Sequence, residues 1–492
     1  MDRGWRWIAF VLVAAQLVAA GAGAYVYAWY TNSLVRGGRW VSSKTELERG
    51  VMGAHAFASS CHTLSGEELD LGRWFGFQEV LLREPVAAEA LELDFRPGPG
   101  AHLSVLYGVG PETRAGLRLS TDPAVPSGRF RCTAAGEFLE FEPLPALAVA
   151  PDEWTHLALS FAPTGVEARL AQLPAVPLGQ ATDGAQRLGL RGGLHSVRVD
   201  DVEVRAGGAG FHERFFNLRG FLLALLCLTG LLGLELFLWR VTRRDARLRT
   251  VLVACGSLLV FLGLGVLALH RLRARTYPRL DRTAEADWVA AETERVDAAI
   301  RAEHLPLRPG STRVLVIGTS QTWGAGALRA QEGFVEVLEQ RLRAAAPERE
   351  WECINAGVSG LRATRLLELL RERWLALEPD LLIVNLSNND KDPVVFEAAM
   401  EGFAVLAREH GIAALFTLEP NASEAVPGEL PLHPVVRRVA EAHAIPVVDL
   451  HRALAAQAAR GFLWWDHVHP TSFGHRLIAE TLLPAVLERA KT

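Results

Sequence analysis

The C-terminal part of this 492-residue sequence holds side chains whose types fit acyl transfer. Gly318-Thr319-Ser320 closes the apolar run RVLVIG. Asn355-Ala356-Gly357-Val358-Ser359-Gly360 closes WECINAG. Ser387-Asn388-Asn389-Asp390 closes LLIVNL, and Asp466-His467-Val468-His469-Pro470 lies nearer the end. Acyl transfer needs a nucleophile, a base, a group that orients the base, and donors for a developing oxyanion. A serine, an imidazole, a carboxylate and an amide are those parts. Each also has an ordinary structural use. A serine after a strand caps a helix, and Asn and Asp build tight turns. The elements that carry these residues must decide between the two uses.

Those elements alternate. RVLVIG, WECINAG, LLIVNLS, IAALFTLEP and IPVVDL read as short buried strands. Between them FVEVLEQRLRAAA, RATRLLELLRERWLAL, VVFEAAMEGFAVLAREHG and HPVVRRVAEAHA read as amphipathic helices. A polar helix over about 284–302 precedes them, and a last helix runs from about Phe473 to Arg489. Strands alternating with helices imply a parallel, doubly wound, three-layer sheet, here over 311–490. In such sheets ligands bind beyond the carboxyl ends of the strands. The chemistry-bearing residues follow those ends.

This domain resembles the SGNH hydrolases, the GDSL esterase/lipase superfamily. VIGTSQTWGAG is similar to the first block, with Thr319 in place of the usual Asp. NAGVSG is similar to the second and places its functional glycine at Gly360. LSNND is similar to the third, with Ser387 for Gly, and places its asparagine at Asn389. DHVHPTSFGH is similar to the last and supplies Asp466 and His469. The resemblance implies Ser320 as nucleophile, His469 as base in preference to His467, and Asp466 as orienter. It implies an oxyanion hole from Ser320, Gly360 and Asn389. Asp390 is expected to support its turn through backbone hydrogen bonds. Trp464 and Trp465 are candidates for lining a pocket or for packing. His475 is expected at a surface or helix start. No cofactor or metal is expected, and none of the five cysteines has zinc-ligand spacing.

Upstream, LELDFR alternates apolar and polar residues, and further short strands come after it with Pro and Gly between them. This predicts an all-β, jelly-roll-like sandwich over 40–208. EWTHLALSFAPTGVEARL and VRVDDVEV resemble concanavalin-like lectin and laminin-G-like domains. Such domains bind glycans or act as spacers, and both readings stay open. Trp154 and His156 are expected to pack within the fold. Cys61 and Cys132 are expected to form a disulfide, as the cysteine pair of this region.

Three uncharged or nearly uncharged runs, 7–30, 220–239 and 250–269, have the length of transmembrane helices. Glu235 lies near the end of the second. The loop RVTRRDARLR carries five Arg between the second and third runs, which places it in the cytoplasm. The expected protein is thus a multi-pass inner-membrane protein with both large regions periplasmic. The net charge of −5 argues against a nucleic-acid partner. The expected function is a membrane-anchored serine esterase that removes short acyl groups, acetyl foremost, from a cell-surface glycan or related ester. O-acyl transfer onto a polysaccharide is the alternative within enzymes. A glycan-binding or scaffolding membrane protein with a vestigial hydrolase domain is the alternative outside them. The membrane, an acylated glycan or small ester, and a homo-oligomer or envelope polysaccharide complex are the expected partners.

Overall fold

The computed structural model describes residues 40–42, 63–65, 68–71, 79–82, 84–213 without 124, 180–183, 194, 196 and 208–209, and 282–490 without 423–428. Two bodies of secondary structure succeed one another, an all-β sandwich and an α/β domain.

The sandwich consists of two antiparallel sheets among the described residues. One is ordered Trp40–Ser42, Glu79–Leu82, Arg187–Gly192, His102–Val109, Thr113–Ser120, Gly128–Thr133, Phe138–Pro143. The other is ordered Val176–Gly179, Gly165–Leu170, Thr155–Ala162, Ala90–Pro97, Val197–Arg205, Glu68–Leu71, Thr63–Ser65, with Phe211–Glu213 beside Val197–Arg205. Alternation sets the facing. Leu91, Leu93 and Phe95 point into the space between the sheets, with Leu103, Val105, Leu157 and Leu159 in the same core. Strand His102–Val109 is buried over most of its length. Its other face, with Leu106, packs with Leu81, Phe130 and Cys132 against Phe462 of the α/β domain. One sheet is therefore covered on both sides, by its partner sheet and by the second domain.

Two expectations about this domain fail. Trp154 and His156 do not pack inside. Trp154 is 44 % exposed just before strand Thr155–Ala162. His156 occupies an outward position of that strand, where its Nδ1 lies 2.8 Å from Asp94 Oδ1. Cys132 is a free thiol rather than half of a disulfide. Its position in the interface cluster explains this, and burial pushes its pKa up to about 12. Cys61 lies outside the described residues.

In the α/β domain, strands β1 (Ser311–Gly318), β2 (Glu350–Gly357), β3 (Leu381–Asn385), β4 (Ala413–Thr417) and β5 (Val447–Val448) form a parallel sheet ordered β2-β1-β3-β4-β5. The helices are α1 (Arg282–His304), α2 (Ser320–Trp323), α3 (Phe334–Ala345), α4 (Ala363–Glu372), α5 (Pro393–Glu409), α6 (His433–Ala442), α7 (Leu450–Ala455) and α8 (Ser472–Arg489). Successive strand residues point to opposite faces. In β1, Leu315 and Ile317 join the core with α4, α5 and α6, while Val314 and Val316 join the core with α3 and α8. The sheet thus has helices on both faces. Helix α1 is anchored to it where His304 Nδ1 meets Glu352 Oε1 at 2.6 Å and Trp374 Nε1 donates to Asp297 at 3.0 Å. The strand order turns outward from β1 in both directions. That makes the carboxyl end of β1 a switch point of the kind where ligands bind.

The expectation of three transmembrane helices is corrected for the described residues. Among the described residues no helix is long and apolar enough to cross a membrane. The runs 7–30, 220–239 and 250–269, with Glu235, lie outside the described residues. The multi-pass inner-membrane expectation is corrected to the same extent: no helix among the described residues supports it.

Candidate active site

Ser320 begins α2 directly after β1, with Trp323 N–H donating to Thr319 O at 2.9 Å. The abrupt strand-to-helix turn leaves Ser320 at the sheet edge, 8 % exposed. Its Oγ lies 2.8 Å from His469 Nε2. His469 Nδ1 lies 2.8 Å from Asp466 Oδ2. With Nδ1–H donating to the carboxylate, Nε2 is left to accept the serine proton. Asp466 has no exposed surface, and its Oδ1 accepts from Val468 N at 2.9 Å and His469 N at 2.8 Å. These backbone bonds make a tight Asp-led turn, so the residue that orients the imidazole also shapes the loop that carries it. Thr471 then caps α8, accepting from Gly474 N at 3.2 Å and donating to Phe462 O at 2.6 Å.

The second loop lies beside the first, because Gly318 and Gly357 pair at the ends of β1 and β2, and Val358 N–H donates to Gly318 O at 3.0 Å. Gly360 comes next with φ of +83°, which a side chain would strain. A Cβ there would also sit 3.2 Å from Val289 Cγ2 of α1. The third loop is tied to the second. Asn389 Nδ2 donates to Leu361 O at 2.9 Å, and an amide nitrogen carries two N–H groups, so one remains for an oxyanion. Asp390 holds Ala363 N–H at the start of α4, at 3.2 and 3.3 Å. The expected backbone bond is thus made to a helix 27 residues away rather than within its own turn. Burial raises its pKa, against that hydrogen bond.

The structure brings Ser320, His469 and Asp466 into one relay and sets Gly360 and Asn389 on adjoining loops. The remaining candidates separate. Trp464 is buried in the core behind the loop. The ring of Trp465 lies 5.9 Å from that of His469 and walls a cavity of about 410 Å³ between the domains. His467 lies in the same loop, and its backbone O accepts from Ala422 N at 3.0 Å. His475 lies at a helix start, in the first turn of α8, but in the core rather than at the surface. It is fully buried in α8, with Nε2 2.9 Å from Ala325 O and its ring stacked on Phe334. Among the described residues no group of His, Cys, Asp and Glu could hold a metal.

Two residues behind the site have no counterpart among the sequence candidates. Gln321 Nε2 donates to Pro420 O at 2.7 Å and to Val468 O at 2.6 Å, joining the nucleophile turn to the Asp–His loop. Glu419 is buried beside Thr319 and Ser387. It comes two residues after β4, so the strand-end rule that locates the other loops points to it as well.

A doubly wound domain with a Ser–His–Asp relay at the carboxyl edge of its sheet defines an ester hydrolase. Residues 316–477 match the GDSL-like Lipase/Acylhydrolase family. Among solved structures the chain is similar to an acetyl xylan esterase, AlAXEase (19 % identity, 35 % of this chain, 99 % of that chain, TM-score 0.32). It is similar to a two-domain esterase (CEX) active on acetylated mannans (20 % identity, 43 % and 54 %, TM-score 0.33). A GDSL-like lipase from Bacteroides thetaiotaomicron is also similar (19 % identity, 40 % and 98 %, TM-score 0.30). No curated protein matched the chain.

Proposed function

We propose that the protein is a serine esterase acting on short acyl esters, acetyl esters foremost, carried by a glycan. The observation that carries the reading is the continuous relay from Ser320 Oγ to His469 Nε2 and from His469 Nδ1 to Asp466, both contacts 2.8 Å long. In this reading His469 takes the proton as Ser320 attacks the ester carbonyl, and Asp466 stabilises the imidazolium. Ser320 N–H, Gly360 N–H and the Asn389 amide receive the oxyanion. His469 then protonates the leaving alcohol, and water releases the acyl group.

The short acyl group is supported by the site's walls. A Cβ on Gly360 would lie 3.2 Å from Val289 Cγ2, and the ring of Trp465 lies 5.9 Å from that of His469. The glycan is the finer part of the proposal. It is supported by the β-sandwich, whose residues share the walls of the cavity beside Trp465. Incubation with a fluorophosphonate, followed by peptide mass analysis, is expected to label Ser320 alone. Hydrolysis rates on acetyl, butyryl and octanoyl esters of one alcohol are expected to fall with chain length. A wild-type protein that neither labels nor turns over acetyl esters would overturn the reading.

A further inference from the structure

Beyond β4 the chain continues as Leu418-Glu419-Pro420-Asn421, and Glu419 has no exposed surface. Its hydrogen-bond donors are all neutral. Oε2 accepts from Asn388 N at 2.7 Å and Ser387 Oγ at 3.3 Å, and Oε1 from Thr319 Oγ1 at 3.5 Å. A carboxylate buried among neutral groups costs stability, so its place calls for a reason. Thr319 immediately precedes Ser320, and Asn388 immediately precedes Asn389. The neighbouring backbone extends the same link. Pro420 O accepts from Gln321 Nε2 at 2.7 Å and Asn388 Nδ2 at 3.2 Å, and Ala422 N donates to His467 O at 3.0 Å.

We infer that Glu419 is a positioning residue for this active site: its ionised carboxylate clamps the turn before Ser320 to the turn before Asn389, and so sets the nucleophile against the oxyanion donor. The inference rests on the esterase reading above. The ionised form suits the three donors, because it has acceptor sites for all and no proton of its own. A protonated form must turn its O–H toward Thr319 or Ser387, whose hydroxyl then accepts instead of donating, so the present hydrogen-bond pattern is lost.

Burial pushes the Glu419 pKa up to about 7, against the hydrogen bonds from Asn388 and Ser387 and with a smaller push from Asp390. The titratable groups beside it are Asp390 after β3, His433 of α6 and, behind His433, His451 of α7. His433 Nε2 lies 3.0 Å from Glu419 O, and burial lowers its pKa, which favours the neutral ring. His451 packs on His433, and its Nδ1 accepts from Asn421 N. The clamp is therefore engaged above pH of about 7 and lost below it. The stability sign is opposite. A carboxyl whose folded pKa is raised favours the folded state below the unfolded value of 4.5, and that advantage disappears as pH rises through about 7.

The test uses full-length wild type, Glu419→Gln and Ser387→Ala, with kcat and KM on an acetyl ester followed across pH. In Glu419→Gln, kcat above neutrality is expected to fall roughly 10- to 100-fold, the scale of a misplaced catalytic group, with KM little changed. The acid limb of its log kcat profile is expected to lose one proton of slope, because the Glu419 carboxyl no longer takes one up. The difference in Tm, wild type minus Gln variant, is expected to grow as pH falls from 8 toward 5. A glutamate serving stability alone would show that Tm trend with an unaltered kcat profile, and that outcome overturns the clamp. Ser387→Ala removes a single donor and is expected to move the second proton of the acid limb to higher pH. An unmoved limb in this milder variant counts equally against it. Amide hydrogen exchange is the independent arm. Residues 387–390 are expected to exchange faster in Glu419→Gln. If wild type turns over no ester, the esterase reading fails, and unchanged exchange across 387–390 would then refute the clamp by itself.

Discussion

The two halves of the active site are held by different parts of the molecule. Ser320, Gly360 and Asn389 stand on loops after β1, β2 and β3, adjacent strands of one parallel sheet. Asp466 and His469 stand on a loop that closes between that sheet and the β-sandwich. Arg191 of the sandwich donates to Trp464 O at 2.6 Å. Phe462 N–H donates to Gly136 O at 2.7 Å, and Phe473 N–H to Ala135 O at 3.1 Å. Gly136 has φ of +106°, and a Cβ there would lie 2.8 Å from Phe462 O, so this approach needs glycine. Phe462 packs between the guanidinium of Arg191, at 4.5 Å, and the ring of Phe130, at 5.3 Å. Glu137 pairs with Arg476 and, at 3.5 Å, with Arg460. The half proposed to hold the oxyanion belongs to one domain, and the half with His469 is braced by two. The sandwich is thereby part of what aims His469 as well as a candidate ligand-binding module.

The largest expected effect lies where the halves meet. Ser320→Ala and His469→Ala are each expected to lower kcat/KM on an acetyl ester by roughly 10⁴-fold or more, and the double variant to lose little further, because the two act as one unit. Additive losses would break the joint relay. Asn389→Ala tests the sheet-held half. It is expected to lower kcat about 10²- to 10³-fold, with a smaller change in KM, since its amide acts on developing charge.

Arg191→Ala tests the brace without touching the substrate. It leaves Trp464 O without that donor and Glu79 without one of its two guanidinium partners, Arg114 at 2.8 Å and Arg191 at 3.2 Å. Loss of stability of about 3 kcal/mol is expected in urea unfolding, as for other broken buried pairs, together with a lower kcat. Retained kcat in the folded variant would show that the sandwich does not aim His469. The pair also sets a pH signature. Burial alone would raise the Glu79 pKa, and Arg114 and Arg191 outweigh it and hold the pKa below 4.5. Its stabilisation is present above that value and fades as pH falls through the lowered one. Acid loss of Tm is therefore expected at higher pH in Arg191→Ala than in wild type. The smallest effect belongs to Glu137→Gln. Its ion pairs are partly exposed, so a change of less than about 1 kcal/mol is expected. Activity loss comparable to Arg191→Ala would move the brace from Arg191 to this rim.

Much of the sheet-held half is legible in the sequence because its determinants are local. Apolar runs bounded by Gly or polar turns mark β1, β2 and β3, and a parallel sheet places the residues after each run at one edge. The short helix over Trp374–Leu377 splits the stretch that reads as one long helix from Arg362 to Leu377, and Glu378 after it takes a left-handed conformation. The two departures from the family pattern become intelligible only with their partner. Thr319 and Ser387 both donate to Glu419.

By itself, the sequence determined the alternation of strands and helices, the edge at which Ser320, Gly360, Asn389, Asp466 and His469 lie, and the all-β character of the upstream region. Periodicity and strand ends are properties of neighbouring residues. The tertiary structure alone decided the partners. Arg191 and Trp464 are 273 residues apart, and Thr319 and Glu419 are 100 apart. It put Trp154 outside and His475 inside, kept Cys132 a free thiol, and set one face of the sandwich against the loop of the catalytic base. Burial and pairing arise from contacts between distant segments, so a buried Glu419 and an exposed glutamate look alike in the chain until the fold closes around one of them.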